Sequence, residues 1–322
     1  MLHRLQHFSE VEATCRGGVV SIGNFDGVHR GHVLLVEGMR ELVRALGGPT
    51  VALTFDPHPV SLLRPDQTPV PLTTIGRRSE LLHFHGVAEV IVMRTDSELL
   101  NLTADEFFDR VIRGSLAAKG LVEGPNFGFG RGRSGTITTL NRLCAASGMQ
   151  LEVADPVVIE GQVVSSSRIR QCLHAGEVDI AETLLGRPHR ICGRVVRGAG
   201  RGASLGFPTA NLKGIANLIP GDGVYACRTE IGGKPWPVAA HIGPNATFGE
   251  SERSVEAHVL GFQGELVGSM FPLDFLRRLR GTQRFAGADE LVQQMRRDVE
   301  QARAIFASST ESPADPRKTK EN

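Results

Sequence analysis

His29 and His32 stand three residues apart at the mouth of an apolar, helix-ready run in residues 21–36, SIGNFDGVHRGHVLLV. Side chains at i and i+3 share one helix face, so both imidazoles can converge on one group. The strand-like GVVSI comes directly before, and an open α/β sheet binds its ligands at such a strand-to-helix junction. Gly23 and Gly27 let the backbone bend close to a polyphosphate, and the two histidines could stabilise charge growing on a pentavalent phosphorus without a covalent intermediate. No Gly-Lys-Ser/Thr follows, which excludes a Walker loop, and the glycine spacing excludes a dinucleotide fingerprint. Polar surface histidines at an ordinary helix start, or a zinc site short of its other ligands, remain alternatives.

Two further segments suit a nucleotide site. TFDPHP (54–59) closes a strand in a Pro-fixed loop, and SSSRIR (165–170) brings hydroxyls together with Arg168 and Arg170 at a helix start, a set suited to β and γ phosphates. GPNFGFGRGRSG (124–135) follows a strand and reads as an active-site lid, with an RNA-binding-like segment or a solvated loop as alternatives.

A second constellation lies downstream. GRVVRGAGRGASLGFPTANL (193–212) holds five glycines in its first fourteen residues, including Gly198 and Gly202, and then a Phe-Pro bend. Thr209 and Asn211, at i and i+2, project to the same side of an extended segment. Their oxygens suit Mg2+ bridging ATP phosphates, and the glycines let backbone N–H groups reach the same phosphates; a barrel turn would use those glycines for structure alone. Glu256 sits inside the apolar strand pattern RSVEAHVLGF, where a lone carboxylate is either an outward solvated residue or a base.

The elements that must position these groups fall into two halves, as the length of 322 residues allows. From residue 18 to about residue 185, short β-branched runs alternate with amphipathic ones: GVVSI, a helix from Gly31, PTVALTF, a helix near residues 76–85, EVIVM, a helix from Thr103, and KGLVEG. That alternation predicts a mostly parallel, helix-covered sheet. A capped helix begins near Ser165, breaks at Ala-Gly, and resumes until Gly186. After the hinge GRPHR, short Val-rich runs with frequent Gly and Pro turns predict a small antiparallel barrel. A closing amphipathic helix then carries Leu291, Met295, Val299 and Ala302 on one face. The expected division is 1–186, 187–306, and a disordered polar tail over 307–322.

Composition sets outer limits. With 36 Lys plus Arg against 35 Asp plus Glu, the net charge of +1 gives no overall reason to expect nucleic-acid or membrane binding. Five scattered cysteines without a Cys-x-x-Cys indicate neither a disulfide framework nor a zinc ribbon, so a reducing cytoplasm is expected. No apolar run approaches the roughly 18 residues of a membrane span, and MLHRLQHFSEVEA lacks the apolar region of a signal peptide.

Taken in order, the motifs resemble those of the bacterial bifunctional riboflavin kinase/FAD synthetase family from about Gly18 to Arg303. GNFDGVHRGH resembles that family's nucleotidyltransferase His-x-Gly-His motif, and SSSRIR its Ser-Ser-Thr-x-Ile-Arg motif, with Ser167 in place of Thr. The resemblance implies a Rossmann-like nucleotidyltransferase domain followed by a riboflavin kinase barrel with a C-terminal helix. In the first, FMN attacks the α-phosphorus of ATP to give FAD and pyrophosphate, with Gly23, Asn24, Phe25, His29, Gly31 and His32 about the phosphates. Ser166, Ser167 and Arg170 hold the leaving group, and Pro57, His58, Asn126 and Phe127 lie in the flavin-side loops.

In the barrel, LGFPTAN, GVYA and VEAH match the kinase motifs. The resemblance implies that Gly198, Gly202, Thr209 and Asn211 hold Mg-ATP while Glu256 deprotonates the ribityl 5′-hydroxyl. Three departures stand out: His241 for Asn and Ala246 for Pro in HIGPNATF, and Gly261 in LGF where Asp is usual. They favour one alternative, an FAD synthetase with an impaired barrel; a nonenzymatic flavin- or RNA-binding regulator is another. The expected partners are riboflavin, FMN and ATP, with neither nucleic acid nor membrane, and self-association is left open.

Overall fold

The computed structural model describes residues 1–198, 200–244 and 253–311. Its contacts divide the chain into two compact units, one ending at Ser166 and one beginning at Ser167.

In the first unit the order is β1 (Leu2–Leu5), β2 (Val19–Ile22), α1 (Arg30–Leu46), β3 (Thr50–Asp56), α2 (Pro59–Leu63), α3 (Ile75–His85) and β4 (Glu89–Arg94). There follow α4 (Ser97–Asn101), α5 (Ala104–Phe107), β5 (Gly120–Glu123), α6 (Ile137–Ser147), β6 (Gln150–Val153) and a small hairpin of β7 (Val158–Ile159) and β8 (Gln162–Val163). β1 to β6 form one sheet in the order β1-β4-β3-β2-β5-β6, and every pairing in it is parallel. All four residues of β2 are buried, as expected of a central strand covered on both faces. The sheet runs outward from β2 in both directions, so its topological switch point is the crevice between the carboxyl ends of β2 and β5.

Helix boundaries follow local signals. Thr74, Asp96, Thr103 and Thr136 each accept a backbone N–H at a helix start, and Thr103 with Glu106 completes a capping box. The helix expected from Thr103 is only briefly α-helical and continues as a π-helical stretch over Phe108–Ser115. The opening residues, which carry no strand signal beyond a four-residue alternation, add β1 to the sheet's edge beside β4.

α7 (Ser166–Ala175) crosses into the second unit and is followed by α8 (Val178–Leu185), which Gly186 ends in the left-handed conformation at φ 78°. The barrel comprises β9 (His189–Val196), the short α9 (Arg201–Ser204), β10 (Ala210–Lys213), β11 (Gly223–Ile231), β12 (Lys234–Pro244), β13 (Arg253–Val259) and β14 (Met270–Arg280). It closes in the order β10-β13-β12-β11-β14-β9 with all neighbours antiparallel. Closure leaves no free sheet edge, and inward residues such as Val238, Ala240, Ile242, Val255, Ala257, Leu273 and Phe275 are buried.

α10 (Ala288–Glu311) covers the outer face of β11. Ala302 and Val299 pack there with Ala226 and Leu260, in keeping with the expected stripe. The same face also carries a buried charge: Asp298 is 3% exposed and is gripped by Arg280 Nε at 3.1 Å and Nη2 at 2.8 Å. The helix does not stop near residue 306; residues 307–311, expected in a disordered tail, are helical, and 312–322 lie outside the described residues.

Candidate active sites

β2 delivers the motif loop to the switch-point crevice. The loop turns tightly, with φ of 46° at Phe25, 88° at Gly27 and 41° at Val28, values that L side chains adopt only under strong local constraint. The constraint is visible. Asp26, buried at 3% exposure, accepts from the backbone N–H of Leu72 and Thr73, from Thr73 Oγ1, and from Arg78 Nη2 at 2.9 Å. Thr73 Oγ1 also accepts from Gly27 N, and Thr54 Oγ1 donates to Asn24 O. The Phe25 ring is buried in the core and meets His32 edge-on, so it shapes the loop from beneath.

His29 is the N-cap of α1, and its ring stacks on that of His32 with centroids 3.7 Å apart and planes at 17°. The two imidazoles do converge, but not on one helix face: His29 reaches His32 from an extended backbone just before the helix. Gly31 makes room for this: a Cβ there would lie 3.1 Å from His29 Cε1. The pair stands at the positive end of a 17-residue helix, where anions bind. Ser166 Oγ donates to Asp26 O at 2.8 Å, which ties the first residue of α7 to the motif loop. Ser167, Arg168 and Arg170 follow on α7 within the second unit.

The flavin-side candidates occupy two loops of the first unit. Pro57 accepts from Thr95 Oγ1 through its carbonyl, and His58 Nδ1 caps α2 by accepting from Val60 N at 3.1 Å, which gives that ring a local structural task. Phe127 stacks on the buried Phe129 at 5.5 Å, whereas the neighbouring Asn126 is exposed and its carbonyl takes Arg133 Nη2. The glycine- and arginine-rich loop is closed on itself by the Phe129–Gly135 bridge.

In the barrel, strand register assembles the second set. Asn211 faces Glu256 across the β10–β13 pairing, and Glu256 faces His241 across β13–β12. Thr209 Oγ1 lies 3.5 Å from Glu256 Oε2, and Ser254 Oγ donates to Glu256 Oε1 at 3.3 Å. Val255 and Ala257 point into the barrel, so Glu256 points out of it, half-buried beside the Thr209 and Ser254 hydroxyls and opposite His241. His258, on the same face, donates through Nδ1 to Pro208 O at 2.8 Å and pins the bend before Thr209.

Gly198 and Gly202 are required for close approach: a Cβ at Gly198 would lie 2.2 Å from Asn211 Nδ2, and one at Gly202 only 2.4 Å from Phe207 O. Burial lowers the His241 pKa, and the Glu256 charge partly offsets this. Gly261 adopts φ 79° in the turn after β13, a conformation that favours glycine over the usual Asp; Ala246 lies outside the described residues.

The histidine pair, Thr209, Asn211 and Glu256 were visible as motifs. Asp26, Ser254 and His258 lay inside quoted segments without a role of their own, and Thr73 and Arg78 lay outside them, because each acts by fixing a loop or a neighbouring side chain. A carboxylate within GNFDG has a short side chain suited to capping neighbouring backbone N–H groups.

Comparison with known proteins bears on both units. A family model described as FAD synthetase matches residues 11–168, and one described as riboflavin kinase matches residues 185–306. The bifunctional riboflavin kinase/FMN adenylyltransferase of Pseudomonas fluorescens is 37% identical over 295 residues, covering 91% of this chain and 94% of that protein. Its namesake in Escherichia coli strain K12 is 36% identical over 92% of this chain and 95% of its own length. A crystal structure from Streptococcus pneumoniae, titled a macrolide-efflux protein, aligns at a TM-score of 0.86 with 31% identity, covering 94% of this chain and 98% of that one. Among the described residues no helix is long and apolar enough to cross a membrane. With both halves matched in order and nearly the whole length shared, the chain belongs to the bifunctional riboflavin kinase/FMN adenylyltransferase family.

Proposed function

We propose that the barrel phosphorylates riboflavin to FMN and that the parallel-sheet unit adenylylates FMN to FAD, each with ATP. The observation that carries this reading is that each unit has its own group of residues suited to phosphate chemistry: a stacked histidine pair at a helix start in one, and a carboxylate in register with Asn211 and hydrogen-bonded by Thr209 in the other.

In the first reaction Glu256 takes the proton of the ribityl 5′-hydroxyl as that oxygen attacks the γ-phosphorus; the bond to the β-phosphate oxygen breaks and ADP leaves. A half-buried carboxylate held by Ser254 and Thr209 is oriented for that transfer. Thr209 Oγ1 and the amide oxygen of Asn211 are oxygen ligands of the kind that suit Mg2+; these two residues would hold it, and the cation would offset charge on the transferring phosphoryl group. In the second reaction a phosphate oxygen of FMN attacks the α-phosphorus of ATP and pyrophosphate leaves. His29 and His32 stabilise the charge at that phosphorus, with Gly23, Asn24 and Gly31 supplying the close backbone approach. Ser166 serves the leaving group, and the Pro57–His58 and Asn126–Phe127 loops serve the flavin. The balanced charge and the small-molecule substrates support a cytoplasmic enzyme with no nucleic-acid or membrane partner.

The His241 register opposite Glu256 favours one rival, an FAD synthetase whose barrel only binds flavin. Incubating the protein with riboflavin, ATP and magnesium and separating the products decides between them. The bifunctional reading expects FMN followed by FAD; FAD formed solely from added FMN selects the rival.

A further inference from the structure

Glu123 is the last residue of β5 and lies at the switch point, yet the chemistry above does not use it. The β2–β5 ladder pairs only Val19 with Gly120 and Val20 with Leu121. Beyond that the Ile22 amide donates to Glu123 Oε1, at 2.7 Å, so a side chain stands in for the strand just where the crevice opens. The residue is 2% exposed, and its other carboxyl oxygen has no hydrogen-bond partner among the described residues. Ser21 Oγ and Asn24 Oδ1, on the same strand end and the loop after it, are fully buried without a hydrogen-bond partner among the described residues. Buried polar groups with unused capacity are costly, and native proteins keep few of them without a ligand or ordered water to complete them.

From this we infer that Glu123 reads a ribose hydroxyl of ATP in the adenylyl-transfer site and so sets its preference for ribonucleotides. Burial pushes the carboxyl well above its ordinary range; the Ile22 amide pulls it partly back, and no charged neighbour acts on it. A neutral acid beside a phosphate site adds no like charge, and its O–H can donate to a hydroxyl oxygen while an oxygen accepts from the hydroxyl. The phosphates are placed at the α1 start, a few residues after Ile22, and the ribose follows directly on the α-phosphate. The inference rests on the adenylyl-transfer reading of this unit.

The test compares ATP, 2′-deoxyATP and 3′-deoxyATP as adenylyl donors to FMN, using the full chain as wild type, Glu123→Met, Glu123→Val and Glu123→Gln, with riboflavin phosphorylation as the integrity control. The wild type is expected to favour ATP over at least one deoxynucleotide by about 10-fold in kcat/KM, the scale of one buried hydrogen bond. Either apolar variant brings that ratio close to unity, while Gln, which can also donate and accept, keeps most of it. Equal use of all three nucleotides by the wild type, or a preference that survives in Met and Val, overturns the assignment. Uniform loss of activity with every nucleotide in both apolar variants also counts against it, since the carboxyl then serves only the strand. A wild type that makes no FAD from FMN fails the underlying reading instead.

Discussion

The two units solve the same problem, holding ATP phosphates beside a flavin, with opposite architectures. In the parallel sheet the histidines sit on a loop and a helix start, and their geometry depends on a remote buried network in which Asp26 ties the loop to residues 72–78. In the barrel, Asn211, Glu256 and His241 are neighbours through strand register itself, and a closed ladder places them with little help from buried charge. A site carried on a loop needs a supporting shell that a site carried on paired strands largely obtains from the backbone.

The sharpest way to separate the units is through their chemistry. Glu256→Gln keeps shape but cannot accept the ribityl proton, so riboflavin phosphorylation should fall by roughly 100- to 10,000-fold, while FMN adenylylation measured on the same preparation stays at the wild-type rate. His29→Ala and His32→Ala should do the reverse, cutting FAD formation from FMN by about 100-fold or more through lost electrostatic stabilisation. Unchanged adenylyl transfer in both variants would remove the histidine pair from the site.

The supporting shells should differ as well. Arg78→Met strands the Asp26 carboxylate in the interior, where the pair's side chains are 6% and 4% exposed. Breaking such a pair costs about 3–5 kcal/mol, so chemical denaturation should show the first unit losing stability while riboflavin phosphorylation persists. A smaller effect is expected at Gly198→Ala, whose Cβ collides with the Asn211 amide. Overpacking of about 1–3 kcal/mol should appear as a raised KM for ATP in the kinase reaction and nowhere else.

The smallest effect concerns pH. Because the folded Glu123 carboxyl is raised by burial, the unfolded chain loses this proton at lower pH than the folded chain does. Stability therefore falls as pH climbs from the ordinary carboxylate range toward the raised folded value. Glu123→Gln, which keeps an acceptor for Ile22 N, should melt increasingly above wild type between pH 5 and pH 8, a window chosen above the usual Glu pKa of about 4.3. Parallel melting curves across that range would contradict the buried-acid account.

Much of this was legible in the chain. Alternating apolar runs announced the parallel sheet, the glycine and proline punctuation announced the barrel, and the histidine spacing anticipated the stacked pair, although His29 joins His32 from the extended N-cap position rather than from within the helix. Register was not legible: Asn211, Glu256 and His241 are separated by long stretches of sequence, and only the barrel's closure aligns them. Edge strand β1 escaped notice because LHRL carries none of the β-branched residues that marked β2 and β5, and the β7–β8 hairpin because each of its strands is two residues long. Glu123 and Asp298 read as ordinary polar residues in apolar elements, since burial of a charge depends on partners that the local pattern does not contain.

The central claim, one complete phosphate chemistry per unit linked by FMN as the intermediate, is tested most directly by mixing two variants that each lack a different one of the two activities. Supplied with riboflavin, ATP and magnesium, Glu256→Gln alone should yield neither FMN nor FAD, and His32→Ala alone should stop at FMN. The mixture should make FAD, because FMN released by one protein feeds the intact site of the other. If both variants fold, each retains its own activity, and the mixture still accumulates FMN without FAD, the two sites are not independent and the account is wrong.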